Sequence, residues 1–144
     1  MELLNKGWRR YNYLQSEIGM IYHEAAVKLG LSDSAQLILY TICTTEKMCS
    51  QMDICRESGL SRQTVNSSVR KLEQEGIVYL QQGKGKQMQV CLTEKGKQVV
   101  EEKIRPLIRI ENEILEDWSA EETELYLALT QRFRDGLKEK IKTL

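Results

Sequence analysis

Along the first part of the chain apolar residues return every three or four positions, at Tyr11, Leu14, Ile18, Ile21, Tyr22, Ala25 and Leu29. That period predicts one amphipathic helix from about Trp8 to Leu29, closed by Gly30. The next run, "LSDSAQLILYTIC", opens on a cap at Ser32 or Asp33 and is then almost wholly apolar, so a second helix should be buried on most sides. Ser50 and Asp53 have capping-box spacing for a short third helix, Gln51 to Glu57, ended by Ser58 and Gly59. Ser61 then caps a fourth helix whose Val65, Val69 and Leu72 make a narrow inward stripe, and Gly76 ends it. Two helices joined by a tight glycine-containing turn form a helix-turn-helix.

After Gly76 the period changes. "IVYLQQ" and "QMQVCL" flank "GKGK", and Met88, Val90 and Leu92 alternate with Gln87, Gln89 and Cys91, which predicts a β-hairpin. A helix-turn-helix followed at once by a hairpin is a winged helix. From Thr93 a long helical stretch runs to about Trp118 with Val99, Val100, Ile104, Leu107, Ile108, Ile114 and Leu115 on its apolar side; Pro106, the only proline, should kink or break it. Ser119 and Glu122 make a second capping box before a last helix with Leu125, Leu129, Phe133 and Leu137 on one face. The fold class is therefore mainly α with a small β-hairpin, and residues 1–144 read as a single domain without repeats or a proline-rich linker.

The helix from Ser61 to Gly76 is unusual in what surrounds its apolar stripe. Its outward residues are Arg62, Gln63, Thr64, Asn66, Ser67 and Arg70, whereas Glu73 and Glu75 are held back to its C-terminal end. A helix entering the major groove of DNA needs this mixture: Arg pairs with guanine, Gln or Asn with adenine, and the Thr methyl touches thymine. Candidates for phosphate contacts lie at both edges: Arg56 on the bracing helix, Ser61 at the recognition-helix start, and Lys84 and Lys86 in the wing.

Net charge is zero, which by itself argues against a nucleic-acid partner, but its distribution reverses that impression. Residues 1–55 hold 5 basic and 6 acidic side chains, residues 56–97 hold 8 and 4, and residues 98–144 hold 8 and 11. A cationic centre between acidic ends fits a DNA-contacting module on a non-contacting scaffold. No apolar run approaches the roughly 20 residues needed to cross a bilayer, and "MELLNKGWRR" lacks the order of a secretory signal, so a cytoplasmic location with no membrane partner is expected. Cys43, Cys49, Cys55 and Cys91 contain no C-x-x-C pair and the only histidine is His23, so neither a metal site nor a cofactor is expected. The acidic residues spread along helix faces and no glycine-rich phosphate motif is present, which argues against an enzyme.

The order of elements, with "GLSRQTVNSSVRKLEQEGIV" and Leu92-Thr93-Glu94-Lys95-Gly96, resembles the MarR (multiple-antibiotic-resistance regulator) family of transcription factors over nearly the whole chain. The resemblance implies a winged helix-turn-helix at about residues 32–97, with residues 1–29 and 98–144 as dimerisation helices that interlock with a second subunit. It also implies a homodimer on a near-palindromic site in double-stranded DNA, commonly a repressor relieved by a small ligand. Such effectors bind between the dimerisation and DNA-binding regions, for which the candidates are Trp8, Tyr11, Tyr22 and His23. The wing departs from the family pattern: Lys84-Gly85-Lys86 stands where members carry Asp-x-Arg or Asp-Arg, so the wing is expected to add charge rather than read sequence. Two rival readings are a thiol-based redox-sensing regulator, for which the chain lacks any cysteine before Cys43, and a winged helix used only for protein contacts, which the Arg62-to-Arg70 face disfavours.

Overall fold

All the α-helices but the one at Arg105–Glu116, which continues from the turn before it, begin where a side chain accepts from a free N–H of the first turn. The computed structural model describes residues 5–45, 49–83 and 85–144. Asn5 caps α1 (Lys6–Leu29) and Ser32 caps α2 (Asp33–Thr44). At α3 (Gln51–Ser58) the capping box is complete, with Ser50 Oγ accepting from Asp53 N at 3.1 Å and the Asp53 carboxylate accepting from Ser50 N at 3.0 Å. Ser61 caps α4 (Arg62–Gln74) and Thr93 caps α5 (Glu94–Val99). After α6 (Arg105–Glu116), a second reciprocal box at Ser119 and Glu122 opens α7 (Ala120–Lys140).

The chain divides into two units, one ending at Arg105 and the other running from Pro106 to Leu144. In the first, α2 packs against α3 and α4, and Ile38, Leu39, Ile54, Val65, Val69 and Ile104 are each 0% exposed. Val65, Val69 and Leu72 are the predicted inward stripe of α4, and all three are buried. The expected hairpin is part of a larger sheet. Strands β1 (Cys49–Ser50), β2 (Val78–Gln82) and β3 (Met88–Leu92) are antiparallel in the order β1-β3-β2, and Val90 faces both Leu80 and Cys49 across the ladders. Two residues are too few to show period-2 alternation, and Ser50 already signals a helix cap, so β1 leaves no trace in the sequence pattern.

The long helix predicted from Thr93 is interrupted. Between α5 and α6 lies one wide π-turn, Val100–Ile104, across which the Arg105 N–H reaches back to the carbonyl of Val100. Pro106 follows immediately: it has no N–H to donate and its ring crowds the carbonyl four residues earlier, so the irregularity falls in the turn before it.

In the second unit neither α6 nor α7 has a buried residue. Ile110, Ile114, Leu125, Leu129 and Leu137 remain about half exposed in a single chain, while Trp118 and Tyr126 meet edge to face with ring centres 5.4 Å apart. Among the described residues no helix is long and apolar enough to cross a membrane.

Candidate nucleic-acid interface

The turn between α3 and α4 is fixed from both sides. Gly59 adopts the left-handed conformation (φ 74°) that a side chain would strain, and the Ser58 hydroxyl donates to the Ile54 carbonyl while accepting from Leu60 N. A hydroxyl pair that the sequence did not disclose, Ser34 Oγ to Ser68 Oγ at 2.7 Å, ties α2 to α4. Helix α4 is thereby braced on its inner side, with its outer side open to solvent.

On that outer side Arg62, Gln63, Asn66, Ser67 and Arg70 are all exposed. Arg62, Asn66 and Arg70 follow one another at four-residue steps, a row about 12 Å long at 1.5 Å per residue, matching three to four base pairs. Gln63 and Ser67 lie beside it. Thr64 is turned partly away: it is half-buried and its Oγ1 accepts from Ser61 Oγ at 2.9 Å, so it belongs to the cap as much as to the outer face.

Arg56 is exposed but not unpaired, because its guanidinium bonds the Asp53 carboxylate that caps α3. The backbone N–H and the hydroxyl of Ser50, and then Arg56, hold the Asp53 carboxyl below its ordinary 3.8. A carboxylate whose folded pKa is depressed stabilises the fold fully above its unfolded value and loses that contribution as pH falls through the folded one. Asp53→Asn should therefore lower the melting temperature at neutral pH, with the difference from the parent shrinking below pH 3.8. A difference that stayed constant through that range in paired acid melts would show that ionised Asp53 does not carry the cap.

Beyond α4 lies a concave space of about 560 Å³, with Arg62, Gln63 and Asn66 on one wall and Met52, Leu80 and Met88 among the rest. Gln87, where the wing loop enters β3, donates to Met52 Sδ at 3.7 Å. Neither Met52 nor Gln87 carried a signal in the sequence, since only the pairing of β1 with β3 brings the start of α3 beside the wing. Lys86 is exposed at the wing tip; Lys84 lies outside the described residues. Two of the central cations are already engaged: Lys95 Nζ donates to the Glu75 carbonyl at 2.7 Å, and Lys97 pairs with Glu94, which raises the Lys97 pKa. The positive charge left to a partner thus concentrates on α4 and the wing.

The four effector candidates do not converge. Trp8 and Tyr11 stack with ring centres 4.3 Å apart near the start of α1, whereas Tyr22 and His23 lie about 16 Å further along it. His23 Nδ1 donates to the Asp33 carboxylate at 2.8 Å, and Gln36, a residue not anticipated from the sequence, donates to the Tyr22 carbonyl at 3.0 Å. None of the four cysteines forms a disulfide; Cys49 is buried, and that burial pushes its pKa up. Among the described residues no cluster of His, Cys, Asp and Glu is arranged to hold a metal ion.

Residues 29–86 match the model of the MarR family. Among solved structures the chain is similar to NMB1585, a MarR family regulator from Neisseria meningitidis, at 18% identity and TM-score 0.83 over 96% of this chain and 98% of that one. It is also similar to MepR of S. aureus, solved with DNA, at 18% identity and TM-score 0.70 over 93% and 98% of the two chains. BpsR of Bordetella bronchiseptica, whose DNA binding is regulated by 6-hydroxynicotinic acid, aligns at 14% identity and TM-score 0.64 over 87% and 98%. No curated protein sequence matches the chain. Residues 29–86 thus resemble the MarR family in sequence, and over nearly its whole length the chain has the fold of MarR family regulators.

Proposed function

We propose that the chain is a sequence-specific, DNA-binding transcriptional regulator that acts as a homodimer on a near-palindromic site. The observation that carries this reading is the exposed row Arg62, Asn66, Arg70, flanked by Gln63 and Ser67 on a helix braced from behind. Residues 32–97 form the DNA-binding region, and residues 1–29 and 98–144 supply the dimer. The half-exposed apolar residues of α6 and α7 support that division, because they lack cover in one copy. The likeness to BpsR, whose DNA binding a small molecule regulates, favours control of this chain by a small ligand, with repression as the mode of action.

Selection of duplexes from a random DNA pool, repeated at two salt concentrations, tests the reading. A two-fold symmetric site with half-sites about one helical turn apart is the expected product. Lys86→Ala should then weaken binding uniformly across operator variants and reduce the log-log salt slope by about one. Weak binding to every duplex, abolished as salt rises, would contradict sequence-specific regulation.

A further inference from the structure

A DNA strand is anionic at its phosphates, but the deoxyribose between them presents carbon. A helix lying in one groove with a hairpin beside it must straddle the strand that separates that groove from the next. In this chain the place for such a strand is the space of about 560 Å³ bounded by the start of α3, the outer face of α4 and the wing.

Arg62, Gln63 and Asn66 form one wall of that space, and Met52, Leu80 and Met88 give it an apolar surface. Part of that surface is the core continued outward. Leu80 pairs with Val90, Val78 with Leu92 and Gln82 with Met88, so Val78, Leu80, Val90 and Met88 share one face of the hairpin. Val78 and Val90 are each 2% exposed, Leu80 is half-buried and Met88 is 39% exposed, so the face runs out of the core into the open space. Met52 joins it from α3 at 47% exposed, with Gln87 bonded to its sulfur. Unbranched thioether side chains of this kind adapt to an irregular partner surface.

The chain has 21 acidic residues, yet none of the described residues lining this space carries a carboxylate. An apolar patch bordered by a guanidinium and amides, and clear of carboxylates, suits a partner that is apolar in its middle and anionic at its edges. A free phosphate would have no use for the thioethers, and a plain hydrocarbon none for the guanidinium. The patch is also continuous with the row Arg62, Asn66, Arg70 that faces the bases.

We infer that Met52, Leu80 and Met88 seat the deoxyribose of one DNA strand beside the bases that Arg62 and Asn66 read, and select deoxyribose over ribose at that point. The inference rests on the DNA-reading function proposed above and adds to it a contact that salt does not weaken. A 2′-hydroxyl placed in the seat loses water and gains no partner.

Two measurements on the duplex selected from the random pool test it. In the first, a ribonucleotide replaces a deoxyribonucleotide at one position at a time along each strand, and binding to the unaltered chain is titrated. Affinity should fall roughly tenfold at one or two neighbouring nucleotides of each half-site and little elsewhere. A 2′-fluoro sugar at those nucleotides, which puckers as ribose does but has no hydroxyl to desolvate, should cost less. In the second, Met52→Gln with Met88→Gln keeps the length of both side chains and should weaken binding to the all-DNA duplex by roughly tenfold. Its log-log salt slope should match the parent's, in contrast to Lys86→Ala, and its ribonucleotide penalty should shrink because an amide can pair with the hydroxyl. The first measurement needs no variant, so it decides the matter even if the double variant folds poorly. A ribonucleotide penalty spread evenly along both strands would overturn the seat and leave sequence reading by α4 standing. So would a double variant that binds as the parent does, changes the salt slope or keeps the whole penalty. A parent that selects no duplex would remove the DNA-reading function itself, and the seat with it.

Discussion

Arg62→Ala is expected to weaken binding to the selected operator by about 1–3 kcal/mol, roughly five- to 150-fold, and to relax preference at one base step of each half-site. Arg62 opens α4 directly after the Ser61 cap, on the end that the proposed function places first into a major groove, and its side chain is exposed. Asn66 lies one turn further on the same row, so the pair can present a guanidinium and an amide to neighbouring bases. Arg62→Lys keeps the charge but loses the two-pronged geometry, and should retain non-specific affinity while losing much of the discrimination. Lys71→Ala, on the flank of the same helix, serves as the comparison: it should cost less and cost it evenly across sequences. Titration of each variant against the operator and its single-base changes separates these outcomes. An Arg62→Ala protein that bound every duplex as the parent does would mean that the exposed row of α4 does not read DNA.

The sequence disclosed features that depend on one side chain at one spacing. Ser50 with Asp53, Ser61, and Ser119 with Glu122 all cap the helices their spacing predicts, because an N–H three residues on can be reached only from that position. The inward stripe Val65, Val69 and Leu72 was legible for the same local reason. Features set by distant partners were not. Segment charge treats every cation alike, whereas Lys95 and Lys97 are engaged by Glu75 and Glu94, and Arg56 by Asp53. Thr64 has the chemistry of a base contact, yet its hydroxyl is engaged by Ser61. The strand Cys49–Ser50 exists only because β3 passes beside it, and with it comes the concave space bounded by Met52, Met88 and Arg62.

The motif Leu92-Thr93-Glu94-Lys95-Gly96 was visible as a resemblance, but its physical purpose emerges only in three dimensions. Thr93 Oγ1 donates to the Gly76 carbonyl at 2.6 Å, Thr93 N donates to the Ile77 carbonyl at 3.0 Å, and Gly96 N donates back to Thr93 Oγ1 at 2.9 Å. These bonds pin the start of α5 to the turn where α4 ends and β2 begins, joining the recognition helix, the wing and the helix that follows them. Gly96 permits the approach: a Cβ there would sit 2.0 Å from the Ile77 carbonyl oxygen and 3.3 Å from Leu92 Cδ2. Two effects compete in Gly96→Ala. Alanine favours a helix over glycine by about 1 kcal/mol, while forcing an atom into a packed site costs about 1–3 kcal/mol or more. Here the obstacle is backbone that already accepts from Thr93, so relief would also break hydrogen bonds worth about 1 kcal/mol each. The clash should win, with a net loss of about 3 kcal/mol and a melting temperature lower by roughly 10 °C. Thr93→Val, which keeps the shape and removes the hydroxyl, should cost less than Gly96→Ala. Thermal denaturation of the two variants beside the parent decides the matter: a Gly96→Ala protein as stable as the parent would mean that α5 does not approach Ile77 so closely, and that the link between recognition helix and wing is made elsewhere.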